Sequence, residues 1–302
     1  MKKNLPAKIL FVVNLKSGVG SAKDIHAQLD EAAHKYHFEW MIYETTGEND
    51  KKGLRKLLKK FNPEVVFAVG GDGTVNFVAT ELTGRKIKMG IVPAGSANGL
   101  AYNLGIKDNL DQIFSDMENQ KPLLMDGIKV NKDHYCFHLG DIGINARIVS
   151  RFEKEGSKGM LGYGKHLLKE LFSKKTWFTF YIQIPGERRR KMRAEMVVIA
   201  NATSYGTGAK INPTGKLDDG KFEIVIIRPY PWWFIFTFIF AVFRGKVHQK
   251  KYIKILSASE ATINLSKPQE FQLDGEVIPA TKHIKAEIVP GAVNIVGYHP
   301  EE

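Results

Sequence analysis

The sequence predicts an α/β N-terminal domain followed by an all-β, sandwich-like C-terminal domain. As far as Lys121-Pro122, apolar strand-like runs alternate with amphipathic helical stretches of about 10–15 residues, the signature of a parallel sheet covered by helices. From Met125 onward, short strands punctuated by Pro, Gly and Asn take over, as in an antiparallel sandwich. A third observation anchors the first domain: Gly70-Gly71-Asp72-Gly73-Thr74-Val75-Asn76 directly follows the β-branched run 65–69. The expected division is an α/β domain over 1–127, a β-rich domain over 128–290, and a tail over 291–302 with the option of returning to the first domain.

In chain order, 8–14 reads as the first strand, and its end, Asn14-Leu15-Lys16-Ser17-Gly18, leads into a helix over about 21–36. Ser17 and Gly18 can offer backbone N–H groups to an anion, or form a plain linker turn. A second strand over 38–45 ends at Thr45-Thr46-Gly47. The helix over 50–61 turns Leu54, Leu57 and Leu58 inward and its lysines outward. It returns the chain to the strand at 65–69. A short strand over 88–92 then runs into Pro93-Ala94-Gly95-Ser96-Ala97-Asn98-Gly99, with a helix from Leu100. These loops fall after strand ends, where ligands gather in parallel sheets.

The second half reads as strands over 127–130, 135–139, 177–184, 193–200 and 222–227, with several after Ile253 and one helix over 160–173. The run Arg188-Arg189-Arg190-Lys191, with Arg193, sits just past Pro185-Gly186 and suits a solvated hairpin turn or an anionic surface. Residues 231–244 hold the most unusual composition: Trp232, Trp233, Phe234, Phe236, Phe238, Phe240 and Phe243, flanked by Arg244, Lys246, Lys250 and Lys251. Such a segment is too short to span a hydrocarbon core, which needs about 20 residues. Two readings stay open for it, an interfacial helix and a packed core helix.

Three glycines after a strand let the backbone approach a ligand closely, and the helix beginning there offers unpaired N–H groups and partial positive charge. Phosphate is the natural guest. Asp72 would sit badly against a bare phosphate, so its carboxylate is expected on a magnesium ion or a ribose hydroxyl. Thr74 can bind phosphate or cap the helix. The spacing matches neither a P-loop nor a dinucleotide fingerprint.

Across 302 residues the composition is 43% hydrophobic and 25% charged, which suits two globular domains. The one cysteine, Cys136, excludes an internal disulfide and a cysteine zinc site, fits a reducing cytoplasm, and is expected to be buried. Pro6, Lys8 and Asn14 interrupt any secretory signal after the basic start. The formal charge of +12 calls for an acidic partner: a phosphate-bearing substrate, an anionic membrane or a nucleic acid. No basic and aromatic recognition motif supports nucleic acid. His26, His34 and His37 form no metal pattern, and no Gly-x-Ser-x-Gly elbow suggests a serine hydrolase.

Gly-Gly-Asp-Gly-Thr followed by Asn76, with Pro93 to Gly99 behind it, resembles the diacylglycerol kinase catalytic-domain family, and in particular its soluble bacterial lipid kinases. The glycine motif is shared with sphingosine kinases, NAD kinases and phosphofructokinases. The resemblance runs from Lys8 to about Tyr298 and implies an ATP- and Mg2+-dependent kinase acting on a diacylglycerol-like lipid hydroxyl. It places Asn14, Ser17, Gly18, Thr45, Gly70, Gly71, Asp72, Gly73, Thr74, Asn76, Gly95, Ser96 and Asn98 on the nucleotide, and the Asn98 amide can bond a base or sugar edge. Leu15 stands where such kinases carry proline, and Ser96 replaces a threonine while keeping the hydroxyl. Asp126 is implied to hold a water of the magnesium. In Leu273-Asp274-Gly275-Glu276, Asp-Gly is first a hairpin signal. By resemblance Asp274 is the general base and Glu276 its alternate or orienting partner. A structural magnesium is implied at Asp219 with the carbonyls of Lys216 and Lys221. An NAD kinase-like enzyme and a non-catalytic lipid- or nucleotide-binding protein are the alternatives. A lipid kinase of this kind is expected to be cytoplasmic and to touch a membrane peripherally, with a homodimer left open.

Overall fold

The computed structural model describes residues 6–15, 22–95, 98–143, 177–206 and 208–299; Ser17, Gly18, Ser96 and the helix expected over 160–173 lie outside them. The chain divides into two compact units, Met1–Met125 with Gly291–Glu302, and Asp126–Pro290.

In the first unit, β1 (Lys8–Val13), β2 (Glu39–Glu44), β3 (Val65–Gly70) and β4 (Lys88–Pro93) form a parallel sheet in the order β2-β1-β3-β4. β1 and β3 are almost wholly apolar because helices cover both faces of such a sheet. The helices are α1 (Ala22–Tyr36), α2 (Asp50–Phe61), α3 (Asp72–Leu82), the short α4 (Gly99–Asn103) and α5 (Leu110–Asn119). Phe11 stacks on Phe67 at 5.3 Å between ring centres, and Phe38 on Phe114 at the same separation, joining sheet and α5. α2 buries Leu54, Leu58 and Phe61, while Leu57, expected inside, is only half-buried. The spacing i, i+4, i+7 gives the straighter stripe. Arg55 on α2 grips the buried Glu81 on α3 with two hydrogen bonds, and Lys51 lies 3.8 Å from the same carboxylate.

The second unit is antiparallel. β5 (Leu123–Val130) enters it and pairs with β6 (His134–Cys136). There follow β7 (Leu139–Gly143), β8 (Phe178–Gln183), β9 (Arg190–Ala194), β10 (Met196–Ala200), β11 (Phe222–Ile227), α6 (Phe234–Phe243) and β12 (Ile253–Ala258). A long hairpin closes the chain: β13 (Glu260–Leu273) and β14 (Glu276–Ile295). The main strand order is β12-β11-β10-β7-β13-β14. β13 serves two neighbours, β8 through Thr262 to Leu265 and β7 through Phe271 to Leu273, with register shifts between the two stretches. β10 and β11 are buried throughout, with Val197 and Ile199 in one apolar cluster and Val198 and Ala200 in another. α6 covers the second face with Phe234, Ile235 and Val242.

Two expected strands are each divided. The 135–139 run breaks after Cys136 because the N–H groups of Phe137 and His138 turn to a carboxylate, and the 193–200 run breaks at Glu195. The basic run lies on the β8–β9 hairpin. Arg189 sits 4.4 Å from the centre of the Tyr181 ring and Arg193 4.7 Å from that of Trp177.

Candidate functional site

In the first unit, β1, β3 and β4 end side by side. The Asn14 N–H donates to the Val69 carbonyl (3.1 Å), the Ala94 N–H to Gly70 (2.9 Å), and the Thr45 N–H to Val13 (2.9 Å). Asn14, Thr45, Gly70 and Gly95 therefore share the carboxyl edge of the sheet, the edge on which ligands collect in this architecture.

Gly71 is the residue just before α3, and no side chain caps that helix. The reading of Thr74 as a cap is corrected: Thr74 is buried and its hydroxyl lies against Gly70, where an added Cβ would come within 2.5 Å. The first-turn N–H groups of an α-helix have no carbonyl to reach within it, so the start of α3 has donors to offer an anion. The loop after β4 packs directly on this turn. A Cβ on Gly95 would run into the Gly71 Cα, and one on Gly71 would lie 3.2 Å from the Gly95 Cα. Asn98, in the left-handed region at φ 49°, closes its side chain on Gly95, accepting from its N–H (2.8 Å) and donating to its carbonyl (2.8 Å). Both ends of the amide thus shape the loop. Asn76, one turn into α3, accepts from the Thr80 hydroxyl at 3.3 Å.

Asp72 is placed differently from the expectation of a magnesium or ribose ligand. Its carboxylate accepts the N–H of Gly99 (3.0 Å) and of Leu100 (3.2 Å), capping α4 from another helix. These bonds join the two glycine loops. The third loop has an organiser that the sequence reading missed. Asp50 accepts the N–H of Thr46 (3.0 Å) and Gly47 (2.7 Å) and the Tyr43 hydroxyl (3.0 Å). Burial works to raise its pKa, yet those donors hold it below the ordinary carboxylate value. An acidic residue three places beyond the glycine of a Thr-Thr-Gly turn was the available signal.

In the second unit, Asp274 and Gly275 form a two-residue turn between β13 and β14, both with positive φ (47° and 89°), as the Asp-Gly hairpin signal implies. The Asp274 side chain is buried. Its oxygens accept the N–H of Phe137 (2.8 Å), His138 (3.0 Å) and Leu139 (3.1 Å), and the Cys136 thiol lies 3.0 Å away. Of the two carboxylates expected to take the hydroxyl proton, that of Asp274 is turned into the protein and bonded there, and Glu276 is the exposed one of the turn. Burial first, and then the neighbouring Asp274 charge, push the Cys136 thiol well above its usual value, which makes it inert as a nucleophile.

Asp126 is likewise buried and holds the acidic turn. Its N–H donates to Leu217 (2.7 Å) and its carboxylate accepts the Gly220 N–H (2.7 Å). Asn201, fully buried, donates to the Asp126 and Phe137 carbonyls, tying this turn to the segment that binds Asp274. Within the turn Asp219 accepts the Lys221 N–H at 3.1 Å. Among the described residues no three His, Cys, Asp or Glu side chains gather as a metal site. A cation at Lys216, Asp219 and Lys221 would therefore rest on one carboxylate and backbone carbonyls, an all-oxygen set that suits magnesium.

Known proteins fit this arrangement. Residues 8–130 match the diacylglycerol kinase catalytic domain, and residues 141–297 the YegS C-terminal NAD kinase beta sandwich-like domain. A probable lipid kinase YegS-like of Pectobacterium atrosepticum is 25% identical over 301 residues, covering 97% of this chain and 96% of its own. The probable lipid kinase YegS of Salmonella newport is 28% identical over 299 residues, covering 96% and 95%. In fold, the chain is similar to a crystal structure of a putative diacylglycerol kinase from Bacillus anthracis, with a TM-score of 0.80 at 22% identity over 98% of this chain and 96% of that one. It is also similar to an NAD kinase from Archaeoglobus fulgidus in complex with ATP, with a TM-score of 0.55 at 12% identity over 97% and 94%.

Proposed function

The chain belongs to the diacylglycerol kinase catalytic-domain family in its YegS-type form, and on that premise we propose that it transfers the γ-phosphoryl group of ATP to the hydroxyl of a diacylglycerol-type lipid. The observation that supports the nucleotide half most directly is the packing of Gly71 against Gly95 at the start of α3. Phosphoryl transfer asks a protein for positioning, for positive charge around the phosphates, and for an acceptor of the hydroxyl proton. The first-turn N–H groups of α3 bind phosphate oxygens. Asp72 keeps the Asn98 loop in register beside them, and Asp50 fixes the loop that carries Thr45. Magnesium, when bound, neutralises charge on the transferring group. Asp219 and the carbonyls of Lys216 and Lys221 would hold a further magnesium that orders their turn.

We divide the two carboxylates of the hairpin by their surroundings. Asp274, held by three backbone N–H groups, sets the turn; Glu276, exposed, accepts the proton of the lipid hydroxyl. Glu276→Gln is expected to lower kcat by about 10²–10⁴-fold with an unchanged melting temperature, the span of general-base effects. Asp274→Asn is expected to lower the melting temperature, because an amide turns its own N–H toward backbone donors. Full activity in Glu276→Gln, with loss in Asp274→Asn at unchanged stability, would return the base to Asp274.

The deciding experiment measures magnesium-dependent transfer of labelled γ-phosphate to diacylglycerol, phosphatidylglycerol, a sphingoid base and undecaprenol in mixed micelles, with NAD in parallel. Transfer to a lipid supports the reading and names the acceptor. Transfer to NAD alone overturns it in favour of an NAD kinase. ATP binding without any transfer overturns it in favour of a binding protein.

A further inference from the structure

The core reading of the 231–244 segment holds for one face of its helix. Phe234, Ile235, Ala241 and Val242 are buried on the β10–β11 sheet. The other face is apolar apart from Thr237 and is not covered within the second unit. Trp232, Trp233, Phe236, Ile239, Phe240 and Phe243 are from 40% (Ile239) to 71% (Trp232) exposed. Those six are the majority of the ten large apolar side chains that are exposed among the described residues, so the patch is concentrated rather than scattered. No described helix is long and apolar enough to cross a membrane, and α6, at ten residues, is about 15 Å long.

Charge selects the occupant. Between Glu223 and Glu260 there is no acidic residue, while Arg228, Arg244, Lys246, Lys250, Lys251 and Lys254 all fall there. Arg244 lies 4.1 Å from the centre of the exposed Phe240 ring, with its charge at the rim of the apolar face. A second copy of this chain laid on the patch would set these cations against one another. An anionic bilayer instead offers hydrocarbon for the rings and phosphate for the rim, and tryptophans favour that boundary.

We propose that α6, with the Trp232-Trp233 pair ahead of it, is a docking surface for anionic membranes, lying in the interface plane with its aromatic face in the headgroup and acyl boundary. The proposal deepens the lipid-kinase reading, since a diacylglycerol-type acceptor is met at such a surface. Its own test needs no nucleotide.

Co-sedimentation of the full chain with vesicles of phosphatidylglycerol and phosphatidylcholine, against phosphatidylcholine alone, measures the binding. Tryptophan quenching by lipids brominated along the acyl chain reports depth. Binding is expected to require the anionic lipid and to quench tryptophan. Phe236→Ser with Phe240→Ser, both at exposed positions, is expected to weaken binding about tenfold or more. Lys246→Ser with Lys250→Ser and Lys251→Ser is expected to weaken it about 100-fold, at the usual contribution of one basic side chain near an anionic surface. Both variants should keep the wild-type melting temperature and the wild-type rate on a short-chain diacylglycerol dispersed in water. No vesicle binding by the wild type, or binding that neither variant weakens, overturns the proposal. A wild-type dimer that the phenylalanine variant converts to monomer, with no vesicle binding, overturns it in favour of a self-interface. Vesicle binding lost in both variants, with no phosphoryl transfer to any lipid, leaves the docking surface standing and removes the kinase reading.

Discussion

Single atoms set the geometry of the two glycine loops. A methyl group on Gly95 would run into the Gly71 backbone and lie 3.0 Å from the Asn98 side-chain oxygen, and backbone cannot swing aside as a side chain does. Gly95→Ala is therefore expected to cost about 1–3 kcal/mol, the range for overpacking, and to weaken ATP binding measured by calorimetry. Gly71→Ala, with its nearest neighbour at 3.2 Å, should be milder. Asp50 gives the pH prediction. Its folded pKa lies below the unfolded one, so its contribution is complete above about pH 4 and is lost as pH falls through the lowered value. The melting temperature of the wild type relative to Asp50→Asn should be flat from pH 8 to about 5 and fall only below about 4. A difference that changes near neutral pH would assign the effect to another group. At this scale the sequence spoke unevenly. It disclosed Asp274-Gly275 as a turn from two residue types, but not where the carboxylate goes. Its donors are three backbone N–H groups more than 130 positions away, and backbone carries no side-chain signature.

Helices and strands were the more legible level. The 65–69 run, the Gly-Gly-Asp-Gly turn and the alternation of apolar runs with helices locate β3, α3 and the carboxyl edge of the sheet, because periods of two and 3.6 are written in the hydropathy. α6 shows where that code fails. Phenylalanine and isoleucine stand on both its inner and its outer face, so hydropathy alone does not separate core from surface, and packing against β10 and β11 does. The split of the 135–139 run was equally hidden, since it follows from a distant aspartate. Between elements, the Arg55–Glu81 pair ties α2 to the C-terminal end of α3. Arg55→Met leaves a buried carboxylate with Lys51 alone and should cost about 1–3 kcal/mol in denaturant unfolding, the price of an under-satisfied buried acceptor. Glu81→Gln in the same background should recover part of the loss, because a neutral amide is cheaper to bury.

The whole chain is organised by β14, which begins in the second unit and finishes in the first. Its last residues pair with β4, Asn294 beside Lys88 and Ile295 beside Met89. The Val296 N–H donates to the Met89 carbonyl, and the His299 N–H to Leu104. Ala292, Val293, Ile295 and Val296 are buried there. A chain ending at Pro290 should lose roughly 5–9 kcal/mol, counting about 1.5–3 kcal/mol for each of the three larger side chains, which is comparable to the stability of many domains. Its ATP binding and thermal transition are the measurements, and a truncated chain that binds ATP with the full-length melting temperature would show the strand to be dispensable. The same arrangement governs how the molecule is made. Residues 8 to 125 leave the ribosome first, but the strand that closes their sheet is translated only after the intervening 126 to 290, about 165 residues later. At about 5–20 residues per second that is a delay of roughly 10–30 s, during which the nascent first unit presents the open edge of β4 to any chaperone, or any other nascent strand, that reaches it first.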